Sequence, residues 1–119
     1  MRAFLQKLLL SIDGGQSLIV MGMDGLLLDE AIKTPSGESL HQASVEYCQV
    51  LKETMKVGVE NGIGQLKDSL SHFENSSLIV KIVTPEYFVA LLLSSEDGQV
   101  GKARYQLEKN LPLLRKHLV

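Results

Sequence analysis

Apolar side chains recur at helical spacing in three stretches of the chain. They predict helices over residues 2–12, over roughly residues 41–61, and from just after Gly98 to the end of the chain. The glycines that follow Asp13 should end the first helix, since glycine tolerates the left-handed conformation at a helix end. Pro112 should kink the last helix or split off its last turn, because the proline ring clashes with the carbonyl four residues back.

Shorter stretches between these helices have the composition and pattern of β-strands. Asp24-Gly25 separates the first two strands and is a strong hairpin signal. It predicts a type I′ turn, which needs positive φ at both central positions. A polar segment at 33–39 leads to the middle helix and is expected to be a loop. The predicted strands cover residues 17–21, 26–31, 65–72, 77–83 and 87–94.

The placement of polar residues indicates where each strand lies in the sheet. The runs at 18–21 and 87–93 are apolar on both faces, as expected for central strands covered by helices on each side. The third strand alternates Lys67, Ser69 and Ser71 with leucines, which suits an edge. The pattern predicts an α+β fold of element order αββαβββα, a three-layer α/β/α sandwich around a five-stranded antiparallel sheet of order 2-1-5-4-3. The first and last helices should cover one face of that sheet, and the middle helix the other.

Composition limits the class of protein further. The 119 residues are expected to form one domain over 1–119, and a net charge of −2 offers no basic field for nucleic acid. No apolar run approaches the ~20 residues that cross a bilayer, and polar residues interrupt the N-terminal run that could resemble a secretory signal. The single cysteine, Cys48, excludes an internal disulfide. We therefore expect a cytoplasmic protein that contacts neither nucleic acid nor membrane.

No arrangement of residues in the sequence indicates catalysis, a metal site or a cofactor. His41, His72 and His117 are scattered, without the i, i+4 partner or nearby carboxylate of a metal site. Cys48 lies on the apolar face of the middle helix, where a buried cysteine acts as a small hydrophobic residue. Motifs for nucleotide binding, zinc-dependent hydrolysis and serine hydrolases are missing. We expect a protein that is not an enzyme.

Arg104, early in the last helix, has two interpretations. It could be an arginine supplied to the phosphates of a partner. The alternative is a helix-surface arginine paired with Glu108 one turn further on, worth a few tenths of a kcal/mol. The sequence favours this second interpretation.

Apolar surface beyond the needs of the core is the feature most informative about function. A second stripe runs along the middle helix beside the one assigned to the core, and contiguous exposed apolar area of this kind marks a protein interface. Deeper burial of the helix against the sheet would explain the same stripe. Together with an open edge at the third strand, the stripe predicts a homodimer in which edge strands pair across a two-fold axis and the middle helices pack side by side. The candidate dimer or partner interface comprises Tyr47, Val50, Thr54, Val57, Lys67, Ser69 and Ser71.

Several segments form a recognisable order along the chain. They are Asp13-Gly14-Gly15 after a helix, the strand 17–21 running into Asp24-Gly25-Leu26, the strand 87–93, and Gly101-Lys102-Ala103-Arg104 after Asp97-Gly98. In this order and spacing they resemble the Roadblock/dynein light-chain family, and within it the bacterial MglB-type regulators of Ras-like GTPases.

The resemblance implies a profilin-like fold and a homodimer with one continuous sheet across its axis and no active site of its own. It also implies binding to a small Ras-like GTPase, whose GTP hydrolysis or exchange is tuned by repositioning the switch regions without an inserted arginine. The loop at 33–39 is longer than in the shortest family members. Two other functions stay open: a dimerisation scaffold that leaves nucleotide turnover unchanged, and a small-molecule sensor, for which the sequence offers few inward polar residues.

Overall fold

The structure, a computed structural model, describes residues 1–33, 40–95 and 99–118. Within these ranges the helices and strands follow the predicted order αββαβββα. The bounds are α1 Arg2–Leu10, β1 Gly15–Gly22, β2 Leu27–Ile32, α2 His41–Glu60, β3 Asp68–His72, β4 Ser76–Thr84, β5 Tyr87–Ser94 and α3 Val100–His117.

The strands form one antiparallel sheet in the order β2-β1-β5-β4-β3, which confirms the order predicted from the sequence. The two apolar strands β1 and β5 pair at its centre, with Ile19 opposite Ala90. Helices cover both faces of the sheet at its centre. Strands in that position must therefore be apolar on both faces, as β1 and β5 are. The polar strand β3 lies at one edge and β2 at the other.

The two faces of the sheet support separate hydrophobic clusters. On one face, α1 and α3 pack through residues such as Leu5 and Leu107 against Leu18 and Leu91. On the other face, α2 packs against side chains that include the fully buried Phe88. The predicted three-layer arrangement, with the first and last helices on one side and the middle helix on the other, is confirmed.

The turn between β1 and β2 differs from the prediction. The hairpin forms, but Asp24 does not have a positive φ, so the predicted type I′ turn is wrong. Instead the Gly25 N–H donates to the carbonyl of Gly22 at 2.9 Å, and Gly25 alone takes the left-handed conformation with φ of 88°. The Gly22 N–H in turn donates to the carbonyl of Leu26 at 2.9 Å, as in three-residue hairpin loops that end in a left-handed glycine.

Other predictions about the helices and strands also differ from the structure. Helix α1 ends at Leu10 because the hydroxyl and N–H of Ser11 both bond back to the carbonyl of Leu8. Strand β3 begins at Asp68 rather than at residue 65. Helix α3 continues through Pro112 to His117, so the proline does not split off the last turn. The predicted loop residues 34–39 and the Asp97-Gly98 turn lie outside the described residues.

Candidate functional site

The two edges of the sheet differ in how readily they could accept another strand. Strand β3 pairs with β4 in a regular register from Asp68 opposite Lys81 to His72 opposite Ser77. The hydrogen bond from Ile82 N–H to the carbonyl of Lys67 shows that the backbone groups of Lys67 face β4. By the alternation of an antiparallel ladder, every second residue from position 68 then points its N–H and C=O away from the sheet. This edge is open.

At the opposite edge, residues of β2 itself oppose the addition of another strand. Leu28 has no partner in the register with β1, which marks a bulge. The N–H of Glu30, which the alternation directs outward, donates to Asp29 Oδ1 at 2.9 Å, and Arg2 Nε donates to the same oxygen at 2.8 Å. Burial alone would raise the pKa of Asp29, but these hydrogen bonds lower it, so the carboxylate stays charged. Bulges and charges on an edge oppose strand addition, which leaves β3 as the edge suited to pairing.

Tyr47 connects α2 to this open edge. Its hydroxyl lies 2.8 Å from Ser69 Oγ and 3.0 Å from Ser71 Oγ, both within hydrogen-bonding distance. The two serines therefore face α2, and the half-buried tyrosine is a tether between helix and edge strand rather than part of a free apolar stripe. The structure thus brings together three of the residues that the sequence analysis had placed on separate elements.

The remaining stripe residues on α2 are exposed beside the tether. Val50 and Val57 are 48% and 54% exposed, and Thr54 is exposed with its hydroxyl donating to the carbonyl of Val50 at 2.8 Å. Steps of three and four residues from Tyr47 carry these side chains along the side of the helix that borders β3. The alternative explanation, deeper burial of this stripe against the sheet, does not describe the structure.

Lys67 lies apart from the other candidates. It precedes β3, and its exposed side chain lines a groove that it shares with Met55 of α2 rather than the pairing edge. Leu70, which is 40% exposed at the middle of β3, was not among the predicted interface residues. Its position between two serines of a polar strand could have revealed it. Successive side chains of a strand lie on opposite faces, so a leucine between two serines that face α2 points to the other face.

A charged cluster supports β3 from the face that carries α3. Lys81 of β4 is buried and its Nζ donates to Asp68 Oδ2 and Glu108 Oε2, each at 2.9 Å. Arg104 donates to the same Asp68 oxygen at 2.8 Å, so its partner is Asp68 and the predicted pairing with Glu108 is replaced. Lys81 therefore bridges Asp68 and Glu108, and Asp68 also accepts from Arg104.

The pKa directions in this cluster follow from these contacts. Hydrogen bonds from Lys81 and Arg104 hold the pKa of Asp68 below its usual range. Burial alone would lower the pKa of Lys81, but the bonds to Glu108 and Asp68 outweigh it and raise that pKa. Asp68 and Lys81 are therefore both charged at neutral pH. Arg104 is committed to this cluster, which fits a structural role better than the role of an arginine offered to a partner.

The residues considered for metal or nucleophilic chemistry are dispersed. His72 Nδ1 lies 2.7 Å from Ser77 Oγ, and the ring of His117 contacts that of Phe4. Across the described ranges no three His, Cys, Asp or Glu side chains meet as metal ligands. Cys48 is buried against Met21, as expected, and burial raises the pKa of its thiol. None of the helices in the described part of the chain is both long and apolar enough to cross a membrane.

A comparison with protein-family models finds no match to the chain, and neither does a comparison with curated protein sequences. Solved structures do match, over nearly the whole length. The Roadblock/LC7 domain from Streptomyces avermitilis gives a TM-score of 0.82 at 16% identity, covering 97% of this chain and 95% of that chain. Myxococcus xanthus MglB gives 0.85 at 14% identity, covering 98% and 93%. MglC from Myxococcus xanthus gives 0.67 at 27% identity, covering 97% and 96%.

Agreement of this extent defines the class of protein: the chain has the Roadblock/LC7 fold. Within that class, the resemblance to the bacterial MglB type that the sequence predicted is confirmed, since both MglB and MglC match along almost the entire chain.

Proposed function

We propose that this chain is a non-catalytic homodimer that binds a small Ras-like GTPase in the cytoplasm and modulates its GTP hydrolysis or nucleotide exchange. The observation that carries the dimer is the position of an open edge, β3, directly beside an exposed stripe on α2, with Tyr47 holding the two together. The GTPase as partner rests on the family resemblance, and the fold likeness to MglB and MglC supports it.

The geometry of β3 suggests how the two copies pair. Its outward-facing residues are Asp68, Leu70 and His72, so antiparallel pairing centred on Leu70 uses the outward backbone groups of all three. A two-fold axis at that point makes the contact self-complementary and joins the two sheets into one. The α2 stripes then lie on the same side of the joined sheet, where Val50 and Val57 can lose contact with water together.

We expect light scattering to give the mass of two chains for the wild-type protein and of one folded chain for the double variant Val50→Glu with Thr54→Arg. Both substitutions place charges in the centre of the proposed helix contact, where desolvating them opposes association. The matched control is Val45→Glu with Gln49→Arg, which adds the same charges at the same spacing on another side of α2 and should remain dimeric. A wild-type monomer would contradict the dimer, as would a double variant that stays dimeric.

The regulator and scaffold functions differ in their effect on nucleotide turnover. When a small Ras-like GTPase is mixed with this chain, we expect the dimer to change either the single-turnover rate of GTP hydrolysis or the rate of nucleotide release by roughly tenfold, within the usual range of coupling between two sites. This is well below the 10³–10⁵ of an inserted arginine, because Arg104 is held by Asp68. Arg104→Gln should therefore retain the effect. Binding with neither rate changed would instead identify a scaffold.

A further inference from the structure

A groove of about 590 Å³ lies at the end of the sandwich, between the C-terminal halves of α2 and α3. The end of β4 and the segment before β3 complete its walls. Its volume falls within the range of small-molecule sites, which are mostly apolar with a few placed polar groups. The lining side chains that carry the argument are Met55, Val59, Leu66, Ile82, Val83 and Leu111.

The charged residues of the groove are unequally engaged. The charge of Glu108 is already compensated, since this carboxylate accepts a hydrogen bond from the buried Lys81 at 2.9 Å, and Arg115 also lowers its pKa. Arg115 is anchored by its Nε, which donates to the carbonyl of Val83 at 2.8 Å, so its guanidinium is fixed in place with further N–H donors remaining. Lys67 is exposed and forms no ion pair with any described residue. The groove therefore combines apolar walls with two cations and no uncompensated acid.

We propose that this groove binds a small anionic amphiphile, a medium-chain carboxylate, with its headgroup at Arg115 and Lys67 and its alkyl chain along the apolar walls. An arginine fixed at its Nε is suited to a carboxylate, because the planar guanidinium presents parallel donors. The alkyl chain lies against Met55 and Leu66, which are half-buried and would lose further contact with water. The groove includes Lys67, just before β3, but none of the outward-facing residues of that strand, and it differs from the polar sensor pocket considered from the sequence because most of its lining side chains are apolar.

The inference is tested by titrating the full-length chain with sodium octanoate while recording methyl NMR spectra. We expect saturable shifts confined to methyl groups of the groove, with a dissociation constant on the order of 0.1–1 mM for a ligand of this size. The uncharged analogue 1-octanol should bind roughly tenfold more weakly, because it lacks the charge-assisted hydrogen bonds of the carboxylate.

Two variants address the headgroup separately. Arg115→Gln and Lys67→Gln should each weaken octanoate binding several-fold, whereas Lys116→Gln, an exposed cation of α3 outside the groove, should leave it unchanged. Light scattering on the same samples shows whether the variants keep the wild-type mass, so a failure of the dimer proposal is distinguished from a failure here. Equal binding of octanoate and 1-octanol, shifts spread over other surfaces, or full affinity in both cation variants would overturn the proposal.

Discussion

Replacing Phe88 with alanine is expected to lower the free energy of unfolding by about 3–5 kcal/mol, the cost of removing a large aromatic side chain from a core. Phe88 lies on the central strand β5, is fully buried, and belongs to the cluster on which α2 packs. Its loss removes apolar contact and leaves a cavity that the rigid sheet cannot close by itself. Because α2 is seated on this cluster, the same change should weaken the surface proposed for dimerisation.

Urea denaturation at one fixed protein concentration measures this effect, since a dimer gains apparent stability with concentration. Tyr105→Ala is the matched control, because Tyr105 is 59% exposed on α3, away from the proposed dimer contact, and its truncation should change the free energy of unfolding by less than about 0.5 kcal/mol. A loss of less than about 1 kcal/mol for Phe88→Ala would show that the face beneath α2 is not packed as the structure has it.

Much of the fold could be predicted because the strands carry different hydrophobic patterns. Strands that are apolar on both faces must be covered on both faces, and this requirement alone places β1 and β5 at the centre of the sheet. The alternation of Ser69, Leu70 and Ser71 is incompatible with a central position and marks an edge. Once the centre and one edge are fixed, hairpin connections determine the remaining order.

The details that escaped prediction depend on geometry that periodicity does not contain. Asp-Gly is compatible with more than one hairpin loop, so the sequence indicated the reversal at Gly25 but not its turn type. The partner of Arg104 was sought within its own helix, where spacing is known, whereas the observed carboxylate belongs to β3 and is 36 residues away in sequence. Side-chain capping of the β2 edge by Asp29 likewise has no periodic signature.

The candidate interface was predictable in part for the same reason. Helical spacing grouped Val50, Thr54 and Val57, which are exposed in the structure, but it could not distinguish a stripe facing solvent from one facing the sheet. The contact of Tyr47 with two serines of β3 resolves this, because it fixes which side of α2 borders the edge strand. The sequence pattern thus identified α2 and β3 as the elements of the candidate interface, and the contact of Tyr47 with β3 shows that the stripe and the edge strand are adjacent.

Replacing Asp68 with alanine is expected to lower the free energy of unfolding by about 2–3 kcal/mol at neutral pH. The carboxylate accepts hydrogen bonds from the buried Lys81 and from Arg104, and bonds to charged groups contribute about 1.5–3 kcal/mol each. Losing one partner of a buried ion pair costs about 3–5 kcal/mol in general, but Lys81 keeps Glu108 here. Urea denaturation at fixed protein concentration gives the difference, and Glu60→Ala, which removes an exposed pair with Lys56 at 3.9 Å, should cost less than about 0.5 kcal/mol.

The pH dependence of the difference in free energy of unfolding between wild type and Asp68→Ala tests whether that difference is electrostatic. Because the folded pKa of Asp68 is depressed, its contribution is fully present above the unfolded-state value of about 3.9 and is lost as the pH falls through the folded pKa. Lys81 has a raised pKa and stays charged throughout this range. Glu108, whose pKa Lys81 also lowers, is present in both proteins, so the difference between them follows mainly the titration of Asp68. The difference in free energy of unfolding between wild type and Asp68→Ala should therefore decrease steadily below about pH 4. A difference that stays constant on acidification would assign the loss to side-chain packing at the β3 edge and would remove the ion pairs as its cause.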